Sequence, residues 1–352
     1  MANLPRSVNK LPEIYFRMSD EQKIKIEKSR SLDSWFAIEN LKGHRWEYSE
    51  LRNQGHKVRD DLKLSYKWRT ELHGREFETK VNLSGQSRDI TLLRYPISTF
   101  LFRRAGFEMP ELRFVNLFIN ELWQGPYLDL ELVDHVYLKR RSMPLGALFK
   151  AQYRAELTLE NDVKMSQAFV QKTLDPTEAD MQSVFRLEEL ARVLDEGIVE
   201  DTLALSRVLN IENAICYLAV SKLIQNNDGI RNNFYLYLNP KNEKFEFIPW
   251  DLDETFRSAN VQKIYENNLF EQLEARADFS FRIFKKMKEV WQEDLILGEL
   301  GRLNDSMGHF AKAQSQYFLN PEEQHKNNVN SIESFIEKVS LELGKTSTIV
   351  KN

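Results

Sequence analysis

The feature that most constrains this chain is a change of apolar period part-way along it. Up to about residue 150, apolar and polar residues alternate in short runs; from about residue 175 the apolar ones recur at helical spacing. Period two lines one face of a strand, and period 3.6 lines one stripe of a helix. PEIYFRM, LSYKWRTEL and FETKVNL read as strands, and SWFAIENL with HRWEYSEL as a hairpin around Lys42 and Gly43. ELRFVNLFINELWQGPYLDLELVD reads as another hairpin, turning at Asn120 to Gln124. SDEQKIKIEK reads as a helix opened by Ser19 or Asp20. RDITLLRYPISTFLFRRAG also reads as helical, stopping at Gly106, with Pro96 starting, kinking or breaking it. Further helix patterns lie in MQSVFRLEELARVL, EDTLALSRVLN, NAICYLAVSKLIQ, FEQLEARADFSFRIFKKMKEVWQEDLIL and SIESFIEKVSLEL, the first opened by a loose capping box at Thr177. Residues 151–176 carry few element signals. The expected fold is α+β: a β-rich lobe over about 1–150, a mainly helical lobe over 151–300, and a helical extension over 301–352.

Hydrophobic residues make up 42% of the 352, enough for a substantial core. The net charge of -4 gives no electrostatic case for a nucleic-acid or membrane partner. No run approaches the length of a membrane span, and MANLPRSVNKLPEIYF has no apolar leader. A soluble, unexported protein in a reducing compartment is therefore expected. Cys216 is the single cysteine, cannot form an internal disulfide, and reads as core packing.

One hairpin interrupts the helical half: NNDGIRNNFYLYLNPKNEKFEFIPWDLDETF. Asp228 and Asn233 stand just before its strands, and Asp251 and Asp253 just after them. Antiparallel pairing brings the two feet of a hairpin together, so these oxygens converge. Phosphoryl transfer from ATP needs a divalent metal, hard oxygen ligands for it, and a carboxylate to orient the accepting hydroxyl. Asp228 and Asn233, five positions apart, have the spacing of a kinase catalytic loop, and Asp251 stands where kinases put their main metal ligand. HRD and DFG are both absent. The plain alternative is a turn: Asp and Asn bond their own backbone, and Asn227-Asp228-Gly229 then merely caps the preceding helix. Another reading takes WDLDET as the nucleophile motif of haloacid-dehalogenase-type phosphatases. That fold puts the motif on an early strand of a doubly wound sheet, whereas only about a hundred mostly helical residues follow here.

Taken together, these residues resemble the signature of the spore coat protein H (CotH) kinase family. QGHKVRDDLKLSYKW is similar to the family's RG-S-x-x-R…KKSY segment, and DITLLRYPIS to its D-x-S-L-x-R-N segment. FVNLFINELWQGPYLDLELVD resembles its second hairpin, and GALFKA its G-x-L-Y-K run. The segments keep family order over roughly residues 10 to 300. The resemblance implies an atypical protein-kinase-like, two-lobed fold with ATP and Mg²⁺ or Mn²⁺ between the lobes. It also implies phosphorylation of serines on partner proteins, notably spore coat proteins, and a place in the spore coat. Carried over by position, Asp228 is the catalytic Asp, and Asn233, Asp251 and Asp253 hold metal. Lys63 and Arg59 contact phosphate, Glu131 orients Lys63, and Trp250 lies on adenine. Read without the resemblance, Lys63 is a surface lysine, Arg59 pairs with Asp60 or Asp61, Glu131 needs some cation, and Trp250 is core. The chain departs from the family pattern at Gln54, Leu62, Tyr95, Asn232 and Arg257. These changes thin the cations around phosphate, so a weak or inactive kinase acting as a coat scaffold is the competing class, and adenylyl transfer onto protein a third.

Overall fold

The computed structural model describes residues 11–29, 34–54, 63–72, 75–151, 169–171, 178–195, 202–231, 233–257 and 268–349. The chain divides into two compact units. The first takes in residues 1–93, 110–132 and 301–329. Its strands are β1 (Glu13–Arg17), β2 (Phe36–Lys42), β3 (Arg45–Gln54), β4 (Ser65–Leu72), β5 (Arg75–Ser84), β6 (Leu112–Ile119) and β7 (Leu122–Glu131). They close a barrel in the order β1-β2-β3-β4-β5-β7-β6, with β1 and β6 parallel at the seam. Closure leaves no sheet edge open to pairing. The alternation seen in the sequence fills the interior: Phe16, Ile38, Leu51, Leu83, Val115 and Leu117 belong to one buried cluster.

The turns explain the hairpins. Gly43 takes a φ of 61° between β2 and β3, and Asn120 and Glu121 take 51° and 66° between β6 and β7. Positive φ at both central residues matches the twist of a two-residue hairpin. Helix α1 (Asp20–Lys28) opens with a full capping box of Ser19 and Gln22. In the C-terminal part of this unit, Phe310 stacks on Trp123 at 6.5 Å.

The second unit takes in residues 94–109, 133–300 and 330–352. Its sheet has the order β11-β10-β8-β9, formed by β8 (Ala147–Ala151), β9 (Phe169–Gln171), β10 (Phe234–Asn239) and β11 (Lys244–Pro249). The helices after α1 are α2 (Arg94–Arg104), α3 (His135–Arg140), α4 (Glu178–Asp195), α5 (Thr202–Val208), α6 (Ile211–Ile224), α7 (Asn227–Arg231), α8 (Asn268–Ala275), α9 (Ala277–Val290), α10 (Glu293–Met307) and α11 (Pro321–Ile349). Pro96 is the third residue of α2, where a missing N–H costs no intrahelical bond, so it starts the helix rather than breaking it. Thr177 lies outside the described residues. Helix α6 is apolar nearly all round and buried on nearly every side, as such a helix must be. Tyr217 at its centre stacks on Phe247 at 4.8 Å and on Phe270 at 5.8 Å. Among the described residues no helix is long and apolar enough to cross a membrane.

Candidate active site

Helix α6 ends in a left-handed Gln225, φ 53°, whose N–H returns to Lys222 O, while the Asn226 N–H reaches Ser221 O at 2.8 Å. This pair of bonds closes the helix and reverses the chain. Asn226 is buried, and its side-chain oxygen accepts the Gly229 N–H at 3.1 Å, which starts the single turn α7. A Cβ on Gly229 would stand 2.1 Å from the Asn226 amide, so the turn requires glycine there. The Tyr217 hydroxyl donates to Gly229 O at 2.5 Å, bracing the turn on the core helix. Asp228 is thus presented from a fixed support. Its Oδ2 accepts the Asn233 Nδ2 at 2.6 Å, which brings the two ends of the Asp-x4-Asn motif together.

The other foot is built as tightly. Strands β10 and β11 pair with Phe234 opposite Pro249, so Asn233 and the Trp250-Asp251 pair flank the last rung. Asn233 has φ 57° and Asp251 φ 58°. Among residues with a side chain, Asn and Asp tolerate this region best, and such conformations persist where the surroundings hold them. Here the loop after Asp251 is pinned. The Thr255 hydroxyl donates to Leu252 O at 2.9 Å and meets Ser98 Oγ at 2.8 Å. Arg94 donates to Thr255 O at 2.5 Å, and the Phe256 N–H donates to Ile224 O at 2.8 Å. The Asp228 turn and the Asp251 loop therefore hang from one end of one helix.

Burial raises the Asp251 carboxyl above the usual carboxylate range; Lys150 opposes the rise, and the charges of Asp228 and Glu254 add to it. A bound cation would relieve that set. Among the described residues no three His, Cys, Asp or Glu side chains gather as a metal cage. Mg²⁺ is commonly held by one or two carboxylates completed by phosphate oxygens and water, and the side-chain oxygens of Asp251 and Asn233 are of the kind that pattern needs. Asp253 is half-buried, and its charge reaches Tyr95, as does that of Asp251.

A family model described as CotH kinase protein matches residues 51–340. The chain belongs to the CotH kinase protein family. Inner spore coat protein H of Bacillus subtilis (strain 168) is 26% identical to it over 221 residues, 59% of this chain and 58% of that relative. The match thus spans little more than half the relative's length. Two solved structures bear a distant likeness. One is from the toxin–antitoxin complex of HipA, HipB and operator DNA of Shewanella oneidensis MR-1, with 11% identity, 97% of this chain and 73% of that chain covered, and a TM-score of 0.37. The other is the Helicobacter pylori proinflammatory kinase CtkA, with 8% identity, 90% and 96% covered, and a TM-score of 0.32.

The remaining residues matched to the CotH pattern lie as follows. Lys63, in the first unit, is no surface lysine: it is 2% exposed, and its ammonium donates to Pro126 O at 2.7 Å and Gln314 Oε1 at 2.8 Å. Burial pushes it down to about 7, with the charge of Asp89 opposing. Gln314 in turn donates to Ile90 O at 3.0 Å. Glu131 accepts the Glu111 N–H at 2.9 Å. Trp250, in the second unit, is buried and packs edge-on to Tyr235 at 5.8 Å. Arg59, Leu62 and Asn232 lie outside the described residues. Sequence reasoning passed over Arg94, Thr255, Asn226 and Lys150. The last was visible in the strand alternation: GALFK is a third strand for the FYLYL hairpin, and its lysine falls opposite Tyr235.

Proposed function

We propose that this chain is a metal-dependent protein kinase that transfers the γ-phosphoryl group of ATP to serine hydroxyls of partner proteins, spore coat proteins among them. The observation that carries the reading is the bonded Asp228–Asn233 pair at one foot of a hairpin whose other foot carries Asp251. Membership of the CotH kinase protein family supports it, and so does the name of the Bacillus relative for the coat. Mg²⁺, when bound, would neutralise charge on the nucleotide phosphates. Asp251 and Asn233 would hold it, with Asp253 close behind in the same loop. The Asn233 amide nitrogen is spent on Asp228, which leaves its oxygen for metal. Asp228, held by that bond, would accept the hydrogen of an incoming hydroxyl.

The test is incubation of the purified protein with γ-labelled ATP, Mg²⁺ or Mn²⁺ and a serine-rich acceptor protein, beside Asp251→Ala and Asp228→Ala. The expected outcome is label on acceptor serines, lowered at least about a hundredfold in either variant. Absence of transfer with either metal, together with no ATP-dependent rise in melting temperature, would move the reading to a coat scaffold. Added AMP rather than phosphate on the acceptor would make it an adenylyl transferase.

A further inference from the structure

The loop that carries Asp251 has a left-handed residue at each end, Asp251 at φ 58° and Phe256 at φ 56°. Asp tolerates this region, whereas a bulky ring there is strained and stays only where its neighbours hold it. The Phe256 end is held by its N–H, which donates to Ile224 O at 2.8 Å, and by its ring, which packs edge-on to Phe335. Between the two ends the hold comes from α2. Arg94 and Ser98 are four residues apart, on one face of that helix. Arg94 takes the Thr255 carbonyl, and Ser98 meets the Thr255 hydroxyl. A hydroxyl has one hydrogen to give, and that of Thr255 goes to Leu252 O at 2.9 Å. Ser98 is therefore the donor in the 2.8 Å contact between the two hydroxyls. The bonds run in series from Ser98 through Thr255 to Leu252, the residue next to Asp251. Ser98, Thr255 and Leu252 are each 0% exposed.

We propose that Ser98 and Thr255 are positioning residues for the Asp251 carboxylate: their two bonds fix the left-handed turn on which its metal binding depends. This rests on the kinase reading and deepens it. Neither side chain reaches the surface, so neither meets nucleotide or acceptor, and the effect passes through the backbone from Thr255 to Asp251. Without the Thr255 hydroxyl, Leu252 O and the Ser98 hydroxyl lose the partner that now satisfies them in a buried place. A shift of the loop relieves that cost. Asp251 then returns toward ordinary backbone, and its carboxylate leaves the foot of the hairpin that Asn233 flanks. Partners that only orient a ligand side chain govern metal affinity in this way. Ser98 makes one of the two bonds and Thr255 both, so loss of Thr255 is the graver change.

The experiment follows Mn²⁺ binding, alone and with ATP, by electron paramagnetic resonance on wild type, Thr255→Val, Thr255→Ser and Ser98→Ala, well below each melting temperature. Hydrogen exchange of the Phe256 amide is measured on the same proteins. Thr255→Val keeps the shape without the hydroxyl and is expected to weaken Mn²⁺ about tenfold to a hundredfold. Ser98→Ala should cost about threefold to tenfold, and Thr255→Ser, which keeps both bonds, should bind as wild type does. The Phe256 amide should exchange faster in Thr255→Val and at the wild-type rate in Thr255→Ser. A lower melting temperature for Thr255→Val with wild-type Mn²⁺ affinity would make the pair merely structural and overturn the proposal. Equal losses in Thr255→Ser and Thr255→Val would overturn it too, since the methyl group and not the hydroxyl would then matter. If Thr255→Val does not fold, Ser98→Ala leaves the Thr255–Leu252 bond in place and must show the loss by itself. Wild type that binds Mn²⁺ neither alone nor with ATP overturns the kinase reading. Exchange then decides the hold on the loop separately, and a Phe256 amide no faster in Thr255→Val than in wild type overturns that as well.

Discussion

Burial holds the Asp251 carboxyl above its ordinary range, Lys150 pulls it down, and Asp228 and Glu254 push it further up. A carboxyl raised on folding binds its proton more tightly in the folded chain. Stability is therefore lost as pH rises from the ordinary Asp value through the raised one, and at neutral pH the ionised group works against the fold. Asp251→Asn is accordingly expected to raise the melting temperature of the metal-free protein by about 2 °C and to abolish any rise on adding Mg-ATP. A lower melting temperature for Asp251→Asn without metal would show the carboxylate to be structural. Lys63 titrates in the opposite sense. Its folded value of about 7 lies below the free value of 10.5, so the unfolded chain binds the extra proton between them and stability climbs with pH over that window. Urea unfolding at pH 7 and pH 9 should show the climb in wild type and a flatter response in Lys63→Met. Tyrosine ionisation of the unfolded chain, near pH 10, sets the upper limit of the comparison.

At the scale of elements, the site depends on how α6 ends. Tyr217, Asn226 and Gly229 form one unit of core ring, cap and turn, and the Asp228 carboxylate rides on it. Gly229→Ala places a methyl carbon 2.1 Å from the Asn226 amide, a contact relieved only if the cap breaks. The expected cost is about 1–3 kcal/mol of stability with the fold retained, because one buried bond is lost and a short turn shifts. Transfer to acceptor serines should fall more than tenfold, since a displaced carboxylate no longer meets the hydroxyl. Chemical denaturation and label transfer measured on the same sample separate the two effects. Unchanged transfer in Gly229→Ala would mean that the turn does not position Asp228. The hairpin itself was legible from FYLYL and FEFIPW, because alternation and a polar turn specify pairing locally. Helix α7 was not, since five residues are too few for a period and its start depends on a side-chain cap. The pinning of Thr255 by Arg94 and Ser98 was illegible for another reason: the partners lie more than 150 positions apart in sequence.

At the scale of the whole molecule, the β-rich first part and helical remainder follow from periodicity, and the barrel's closure does not. The parallel seam between β1 and β6 joins strands a hundred residues apart, and nothing in either strand announces it. The residues after 300 show the same limit. Their helical period was readable, but what they bury against is a long-range fact. Phe310 stacks on Trp123, and Gln314 joins Lys63 to Ile90, within the first unit. Phe335 packs edge-on to Phe256 at 5.2 Å, and Trp291 bonds Ser340 at 2.9 Å, within the second. Ile332, Ile336 and Val339 are fully buried there too. A chain ended at residue 300 would leave Lys63 without its Gln314 acceptor and would expose apolar surface in each unit. Each large buried side chain removed is worth roughly 2–5 kcal/mol, and total stability is about 5–15 kcal/mol, so such a chain is expected not to fold. The measurement is expression of 1–300 beside the full chain, followed by near-ultraviolet circular dichroism and thermal melting. A cooperative melt within about 5 °C of the full chain would show that the last fifty residues are an appendage, and the burial of Lys63 would then need another cause.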